Sequence, residues 1–119
     1  MKISLPLRAV SEANARDHWA KKAKRVAMQR NVTRLKVTGE MIGARVLLPV
    51  EVHLTRLAPS GGLDDDNLVS SLKAVRDGVA DALGVKDNDP RVVWRYDQGK
   101  SGKRGVWGVE IRIVAREAA

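Results

Sequence analysis

Cysteine is absent from this chain of 119 residues, which excludes disulfide bonds, thiolate metal sites and cysteine nucleophiles together. Long hydrophobic runs are absent too, and no segment approaches the roughly 18 consecutive apolar residues that a membrane span needs. The first residues lack the unbroken apolar stretch of a secretory signal, because Pro6 and Arg8 interrupt it. The sequence therefore predicts a cytoplasmic protein without membrane segments.

Charge is unevenly distributed along the chain, whose formal net charge is +8. The segment 64–89 holds seven of the fourteen acidic residues and three basic ones, so it carries −4 and the remainder carries +12. Positive charge attracts polyanions over a long range. Clustered carboxylates, in contrast, repel one another unless a cation lies among them. This distribution predicts a nucleic acid partner and a cation-binding segment.

Periodicity predicts one α+β domain over residues 1–119, because chains of this length rarely divide into two cores. Alternating and β-rich patterns indicate strands at 2–8, 45–57, 91–97 and 106–115. A long stretch without Gly or Pro indicates a helix over 11–38, with Ser11 or Asn14 as N-cap. Apolar residues spaced by three and four indicate a second helix over 67–83. The predicted order is β-α-β-α-β-β, with two helices packed on a mixed sheet.

The apolar residues of the predicted elements indicate which faces are buried. The second strand places Leu48, Val50, Val52 and Leu54 on one side, and the last strand does the same with Val109, Ile111 and Ile113. The first helix carries two apolar stripes, one that begins at Trp19 and one formed by Met28, Val32 and Leu35. The tryptophans Trp19, Trp94 and Trp107 are predicted to pack in the core rather than to stack on bases.

Three consecutive aspartates, Asp64, Asp65 and Asp66, precede the second predicted helix. In an extended chain Asp64 and Asp66 project to the same side. Two such carboxylates can share one hard cation, or hold two ions about 4 Å apart. Mg²⁺ suits this cluster because it binds few carboxylates together with water and substrate phosphate. The alternative is an N-cap, worth roughly 0.5–2 kcal/mol, but one aspartate would satisfy it.

A second acidic pair, Asp87 and Asp89, follows the second predicted helix and supplies two further candidate metal ligands. Its proximity to the first cluster depends on how the chain folds back. The alternative is an Asx-turn that precedes Pro90. An EF-hand is excluded, since neither acidic run has the glycine and the distal glutamate of that loop.

Lys73 follows Asp66 by seven residues and precedes Asp77 by four. On one continuous helix these spacings return to nearly the same angle, so the three side chains share a face. A lysine there can stabilise charge that develops on a metal-bound phosphate. The alternative is an ordinary surface ion pair between Lys73 and Asp77.

Basic residues that could contact DNA phosphates lie on the first helix and in the link that follows the third strand. They are Lys21, Lys22, Lys24, Arg25, Arg30, Arg34, Lys100, Lys103 and Arg104. Phosphate contacts of this kind would offset the repulsion between the aspartates and the DNA backbone. The alternative is a solvated helix face and a flexible loop.

Residues 63–92 resemble the RusA family of Holliday junction resolvases, especially its phage-borne branch. The motifs that match are Asp-x-Asp-Asn-Leu from Asp64, Lys-Ala-x-x-Asp-Gly from Lys73, and Asp-x-Asp from Asp87 ahead of a strand. The resemblance implies a crossover junction endodeoxyribonuclease that uses Mg²⁺, or Mn²⁺ as a substitute. It also implies a homodimer that binds four-way DNA junctions and makes paired nicks.

Carried over by position, the resemblance implies that Asp64 and Asp66 are the first two metal ligands and Asp89 the third, with Asp87 competing for that place. Lys73 takes the position of the family's essential lysine, although three extra residues separate it from Asp66. The implied catalytic residues are thus Asp64, Asp66, Asp89 and Lys73. The rival interpretations are a non-catalytic basic DNA-binding module and a metal-binding structural protein without a nucleic acid partner.

Overall fold

The computed structural model describes residues 1–11 and 18–116 and contains three helices and four strands. These are β1 (Lys2–Leu5), α1 (Trp19–Met41), β2 (Val50–Ala58), α2 (Asp65–Ser71), α3 (Lys73–Leu83), β3 (Val92–Lys100) and β4 (Gly108–Ala115). Residues 12–17 of the predicted first helix, including Asn14, lie outside the described residues. The N-cap of α1 is His18, whose Nδ1 accepts a hydrogen bond from Ala20 N at 3.2 Å.

The strands form one mixed sheet in the order β1-β4-β2-β3. Strand β2 pairs with β3 in parallel, whereas β4 pairs antiparallel with both β1 and β2. The parallel pair needs a crossover, which α2 and α3 provide. The predicted α+β class and the mixed sheet are therefore confirmed. None of the described helices combines the length and the apolar character that crossing a bilayer requires.

The core lies on one face of this sheet. Strand β2 buries Val50, Val52 and Leu54, and β4 buries a second set of three, Val109, Ile111 and Ile113, as the alternation predicts. The other face is polar and open, with His53, Arg95 and Arg112 in one cross-strand row. One face of the sheet is thus buried and the other exposed, which explains why apolar and polar residues alternate along these strands.

The sequence left the buried face of α1 open between two apolar stripes, and the predicted core position of Trp19 is wrong. Trp19 is 74% exposed and Leu35 is 61% exposed, whereas Gln29, Thr33 and Val37 are buried. The reason is that α1 crosses α3 closely at Gly78, where only small side chains fit between the two backbones. Burial of the polar Gln29 is compensated by a hydrogen bond from its Nε2 to the Arg8 carbonyl oxygen, at 3.0 Å.

The predicted second helix is two helices, so the prediction of two helices on the sheet is wrong. The helix is interrupted at Leu72, whose φ and ψ of −104° and 6° are not helical. Just before the break, the Ser71 hydroxyl donates to the Leu68 carbonyl oxygen at 2.7 Å, a local bond that competes with the helical ladder. Leu68 and Leu72 are both buried, and Gly84 ends α3 with φ 73°, as the pattern predicts.

The strand boundaries also differ from the predicted ones. Strand β1 ends at Leu5, just before Pro6, and β2 begins at Val50, just after Pro49. Strand β3 extends to Lys100, because its pairing with β2 continues through the partner Ala58. Pairing across the sheet fixed this extension, which the polar composition of the segment did not suggest.

Candidate functional site

The aspartate run 64–66 forms the first turn of α2, directly after the loop that follows β2. Asp64 is the N-cap, and its Oδ1 accepts a hydrogen bond from Asn67 N at 2.9 Å, which confirms the capping alternative for this residue. Because α2 begins at Asp65, the run is not extended as the sequence suggested. Successive side chains are rotated by about 100° around the helix instead of alternating.

All three aspartates of this run are exposed. The side chains of Asp65 and Asp66 make no hydrogen bond and no ion pair within residues 1–11 and 18–116. A helix cap needs one carboxylate, and Asp64 supplies it. The other two add mutual repulsion that no described cation relieves.

The aspartate run is held at the carboxyl ends of the parallel strands β2 and β3. The Gln98 side chain of β3 clamps Leu63, because it accepts from Leu63 N at 2.9 Å and donates to the Leu63 carbonyl oxygen at 2.7 Å. In sheets of parallel strands, ligands bind outside the carboxyl ends of the strands. The run therefore starts from a fixed backbone at an edge that is suited to ligand binding.

Lys73 lies at the start of α3 and bridges two carboxylates. Its Nζ is 2.7 Å from Asp87 Oδ2 and 2.9 Å from Asp77 Oδ1. The predicted ion pair with Asp77 is therefore confirmed. Hydrogen bonds to Asp87 and then Asp77 raise the pKa of Lys73, and the Lys73 ammonium in turn lowers the pKa of Asp87. The prediction that Lys73 and Asp66 share one helix face is wrong, because it assumed a single helix that continues through Leu72.

Asp87 is fixed through its backbone as well as its side chain. Its carbonyl oxygen accepts from Trp94 Nε1 at 2.9 Å and from Arg76 Nη2 at 2.6 Å. Arg76 also donates to the Tyr96 hydroxyl at 2.8 Å and lies 4.7 Å above the Trp94 ring. Sequence reasoning missed Arg76, although its spacing of three residues from Lys73 indicated that both reach the same side of α3.

Asp89 forms a tight turn with Arg91. Asp89 Oδ1 accepts from Arg91 N at 2.9 Å, which is the Asx-turn that the sequence left as an alternative. Arg91 Nη2 also lies 2.8 Å from Asp89 Oδ2. The side-chain hydrogen bonds from Arg91 lower the pKa of Asp89 to about 2.

The pKa of Asp89 gives a prediction for acid conditions. Because the folded-state value of about 2 lies below the ordinary 3.8, the pair with Arg91 stabilises the fold fully above pH 3.8. That contribution is lost as the pH falls through 2. We expect an NMR titration of the Asp89 carboxyl to show a midpoint near 2, and Arg91→Gln to return it towards 3.8. A midpoint that is already ordinary in the parent protein would contradict the ion pair.

The two acidic groups are anchored at different points along β3. Leu63 is clamped by Gln98, whereas Asp87 is bound by Trp94, four residues earlier. At 3.3 Å per residue these anchor points are roughly 13 Å apart. Among the described residues, no three His, Cys, Asp or Glu side chains are grouped closely enough to hold a metal ion.

The aspartate run no longer presents the extended pair of carboxylates that the sequence suggested, because Asp64 caps α2 and Asp66 lies inside its first turn. That Asp64 and Asp66 bind one Mg²⁺ ion, which needs few carboxylates and keeps several waters, therefore stays a prediction. Asp87 and Asp89 do not join them here, since their oxygens face Lys73 and Arg91. That all four aspartates bind metal stays a prediction.

The basic residues fall into two groups. Arg30 is committed to the α1–α3 contact, where its Nε and Nη2 lie 2.7 and 2.9 Å from the two Asp81 carboxylate oxygens. Lys21 and Lys24 are exposed on α1. At the end of β3 and in the following loop three further bases are exposed: Lys100, Lys103 and Arg104. These three bases lie at or after the carboxyl end of β3, the edge that also holds the aspartate run.

No family model matches the chain. An uncharacterized protein of Xylella fastidiosa (strain Temecula1 / ATCC 700964) is 38% identical over 84 residues, which cover 62% of this chain and 51% of that protein. The chain therefore spans about half the length of this curated relative. A solved structure of 2C-methyl-D-erythritol-2,4-cyclodiphosphate synthase is 19% identical with a TM-score of 0.29, covering 75% of this chain and 49% of that one. A likeness this weak supports no conclusion about fold or activity.

Proposed function

We propose that the protein is a Mg²⁺-dependent DNA endonuclease of the RusA type, which resolves Holliday junctions as a homodimer in the cytoplasm. The observation that carries this proposal is the position of the aspartate run. Exposed carboxylates, two of them without partners among the described residues, lie at the carboxyl ends of a parallel strand pair. They do so in a chain of net charge +8, which attracts DNA.

Asp64 and Asp66 are the residues that would hold Mg²⁺, or Mn²⁺ in its place. When bound, such an ion supplies Lewis acidity and an activated water. The family resemblance implies Asp89, or Asp87 in its place, as a third ligand, which would require its cationic partner to be displaced and the roughly 13 Å between the two anchor points on β3 to close. Because the pKa of Lys73 is raised, this side chain stays protonated at neutral pH and can neutralise charge on a phosphate.

DNA contact falls to the basic residues at the same edge of the sheet. Lys100 is the last residue of β3, and Lys103 and Arg104 follow it in the next loop. Their charge offsets the repulsion between the aspartate run and the phosphate backbone. The exposed Lys21 and Lys24 on α1 supply further positive charge for DNA contact.

The test is incubation of the protein with a synthetic four-way junction and a linear duplex of equal length. Each substrate is incubated with Mg²⁺, with Mn²⁺ and with a chelator. We expect paired nicks in the junction with either ion, and no cleavage with the chelator. Equal cleavage of both substrates would remove the resolvase assignment and leave a nuclease. The absence of cleavage by folded protein with both ions would remove the nuclease as well.

A non-catalytic DNA-binding module is the second candidate, and the cationic partners of the acidic residues favour it. Lys73 is paired with Asp87, and Arg91 is paired with Asp89, so half of the predicted ligand set is already neutralised. Such a module would bind junctions equally well after Asp64→Asn. It would also leave them uncut with Mg²⁺ and with Mn²⁺.

A further inference from the structure

Two arginines, Arg8 in the segment after β1 and Arg56 in β2, lie against the ring of Trp107. The guanidinium carbon of Arg8 is 4.6 Å from the centre of the Trp107 ring, and that of Arg56 is 5.3 Å from it. Arg8 is exposed, and Trp107 is half-buried. Arg56 is only 6% exposed, and its Nε donates to the Ala9 carbonyl oxygen at 2.8 Å.

No carboxylate among the described residues pairs with either arginine of this stack. A buried cation ordinarily has an anionic partner. Burial accordingly lowers the pKa of the Arg56 guanidinium. Ring contacts stabilise the two cations only by about 0.5–2 kcal/mol each. The stack therefore carries two positive charges that no anion among the described residues neutralises, and a bound phosphate would complement them.

The stack lies beside the aspartate run. Arg56 pairs in register with Gln98, the residue that clamps Leu63, so the two are one strand spacing of about 4.8 Å apart. The backbone also connects the two features, because three residues after Arg8 the Ser11 hydroxyl donates to Asn67 Oδ1 in α2 at 2.8 Å. Three residues span at most roughly 10 Å.

We propose that Arg8, Arg56 and Trp107 form a phosphate-binding subsite that holds one DNA strand next to the aspartate run. This inference rests on the proposed function and adds a contact to it. Trp107 holds the Arg8 guanidinium in a fixed plane, and a planar guanidinium donates two parallel hydrogen bonds to a phosphate. The buried Arg56 does not touch the phosphate and adds positive potential at the same tryptophan.

The test is fluorescence anisotropy of a labelled four-way junction, titrated with protein in chelator at several salt concentrations. Without divalent ions the junction stays uncut, so the measurement reports binding alone. We expect Arg8→Gln to raise the dissociation constant roughly tenfold at low salt. It should also lower the slope of log K against log salt by about one. Trp107→Leu should raise the dissociation constant through loss of the fixed plane, and Trp107→Phe should largely restore it.

The matched control is Lys36→Gln, which removes one exposed positive charge of α1 that is paired with Glu40. Both variants reduce the net charge by one, so a purely global charge effect would weaken binding equally in the two. Equal behaviour of Arg8→Gln and Lys36→Gln, with unchanged thermal midpoints, would overturn the subsite. A selective loss in Arg8→Gln, together with a parent protein that binds but never cleaves, would retain the subsite and remove the endonuclease.

Discussion

Asp64→Asn and Asp66→Asn are each expected to abolish detectable nicking of a four-way junction. A change in a partner of a metal ligand typically costs 10–100-fold, so loss of a ligand itself should exceed about 100-fold. The fold should be unaffected by Asp64→Asn, because asparagine caps a helix as well as aspartate does and keeps the oxygen that accepts from Asn67 N. The measurement is the initial nicking rate with Mg²⁺, with the thermal midpoint recorded for each variant.

The matched control for these variants is Asp65→Asn. Asp65 lies in the same exposed turn, between the two proposed ligands. It also falls outside the positions that the family resemblance assigns to metal. We expect Asp65→Asn to keep most of the activity. If all three variants lose activity equally, the local density of negative charge matters rather than a defined pair of ligands.

Gly78→Ala is expected to destabilise the fold by about 2 kcal/mol or more, and to lower the thermal midpoint by roughly 5–10 °C. A Cβ at residue 78 would lie 2.6 Å from the Arg30 carbonyl oxygen and 2.7 Å from Thr33 Cβ. The obstacles are the Arg30 backbone and the β-branched Thr33 side chain of α1, neither of which can swing aside, so relief requires the two helices to separate. Alanine has a helix propensity about 1 kcal/mol better than glycine, which is too little to offset this clash.

Gly39→Ala is the matched control, because it makes the same change in helix α1 with no heavy atom within 4 Å of the new Cβ. It should stabilise the protein by up to about 1 kcal/mol through helix propensity and a less flexible unfolded chain. Chemical denaturation of both variants measures the two effects. A Gly78→Ala protein as stable as Gly39→Ala would show that the α1–α3 contact is looser than described.

Local patterns predicted the elements whose burial follows from their own alternation. Val52 and Ile111 face the core because side chains alternate between the two faces of a strand and only one face of this sheet is buried. Gly84 ends α3 because a left-handed residue follows the last helical turn. In α1, by comparison, two apolar stripes were compatible with the sequence. The close approach to Gly78 selected the face of Thr33 over that of Leu35.

The candidate site divides in the same way. The aspartate run and its capping role follow from a few adjacent residues, since Asp64 precedes the helix that it caps. The partners of Lys73 depend on the break at Leu72 and on the return of the chain to β3. Neither the helix break nor the return of the chain can be read from nearby residues. Serines such as Ser70 and Ser71, which precede the break, also occur inside continuous helices.

The sequence by itself determined the α+β class, the alternation of the strands, the helix ends with local signals and the composition of the acidic run. These properties depend on side-chain period, backbone sterics and capping, all of which act over a few residues. Tertiary structure alone decided the buried face of α1, the pairing of Lys73 with Asp87 and the contact of Arg8 and Arg56 with Trp107. Each of these joins residues far apart in the chain, and which partners meet is fixed only when the sheet and helices pack.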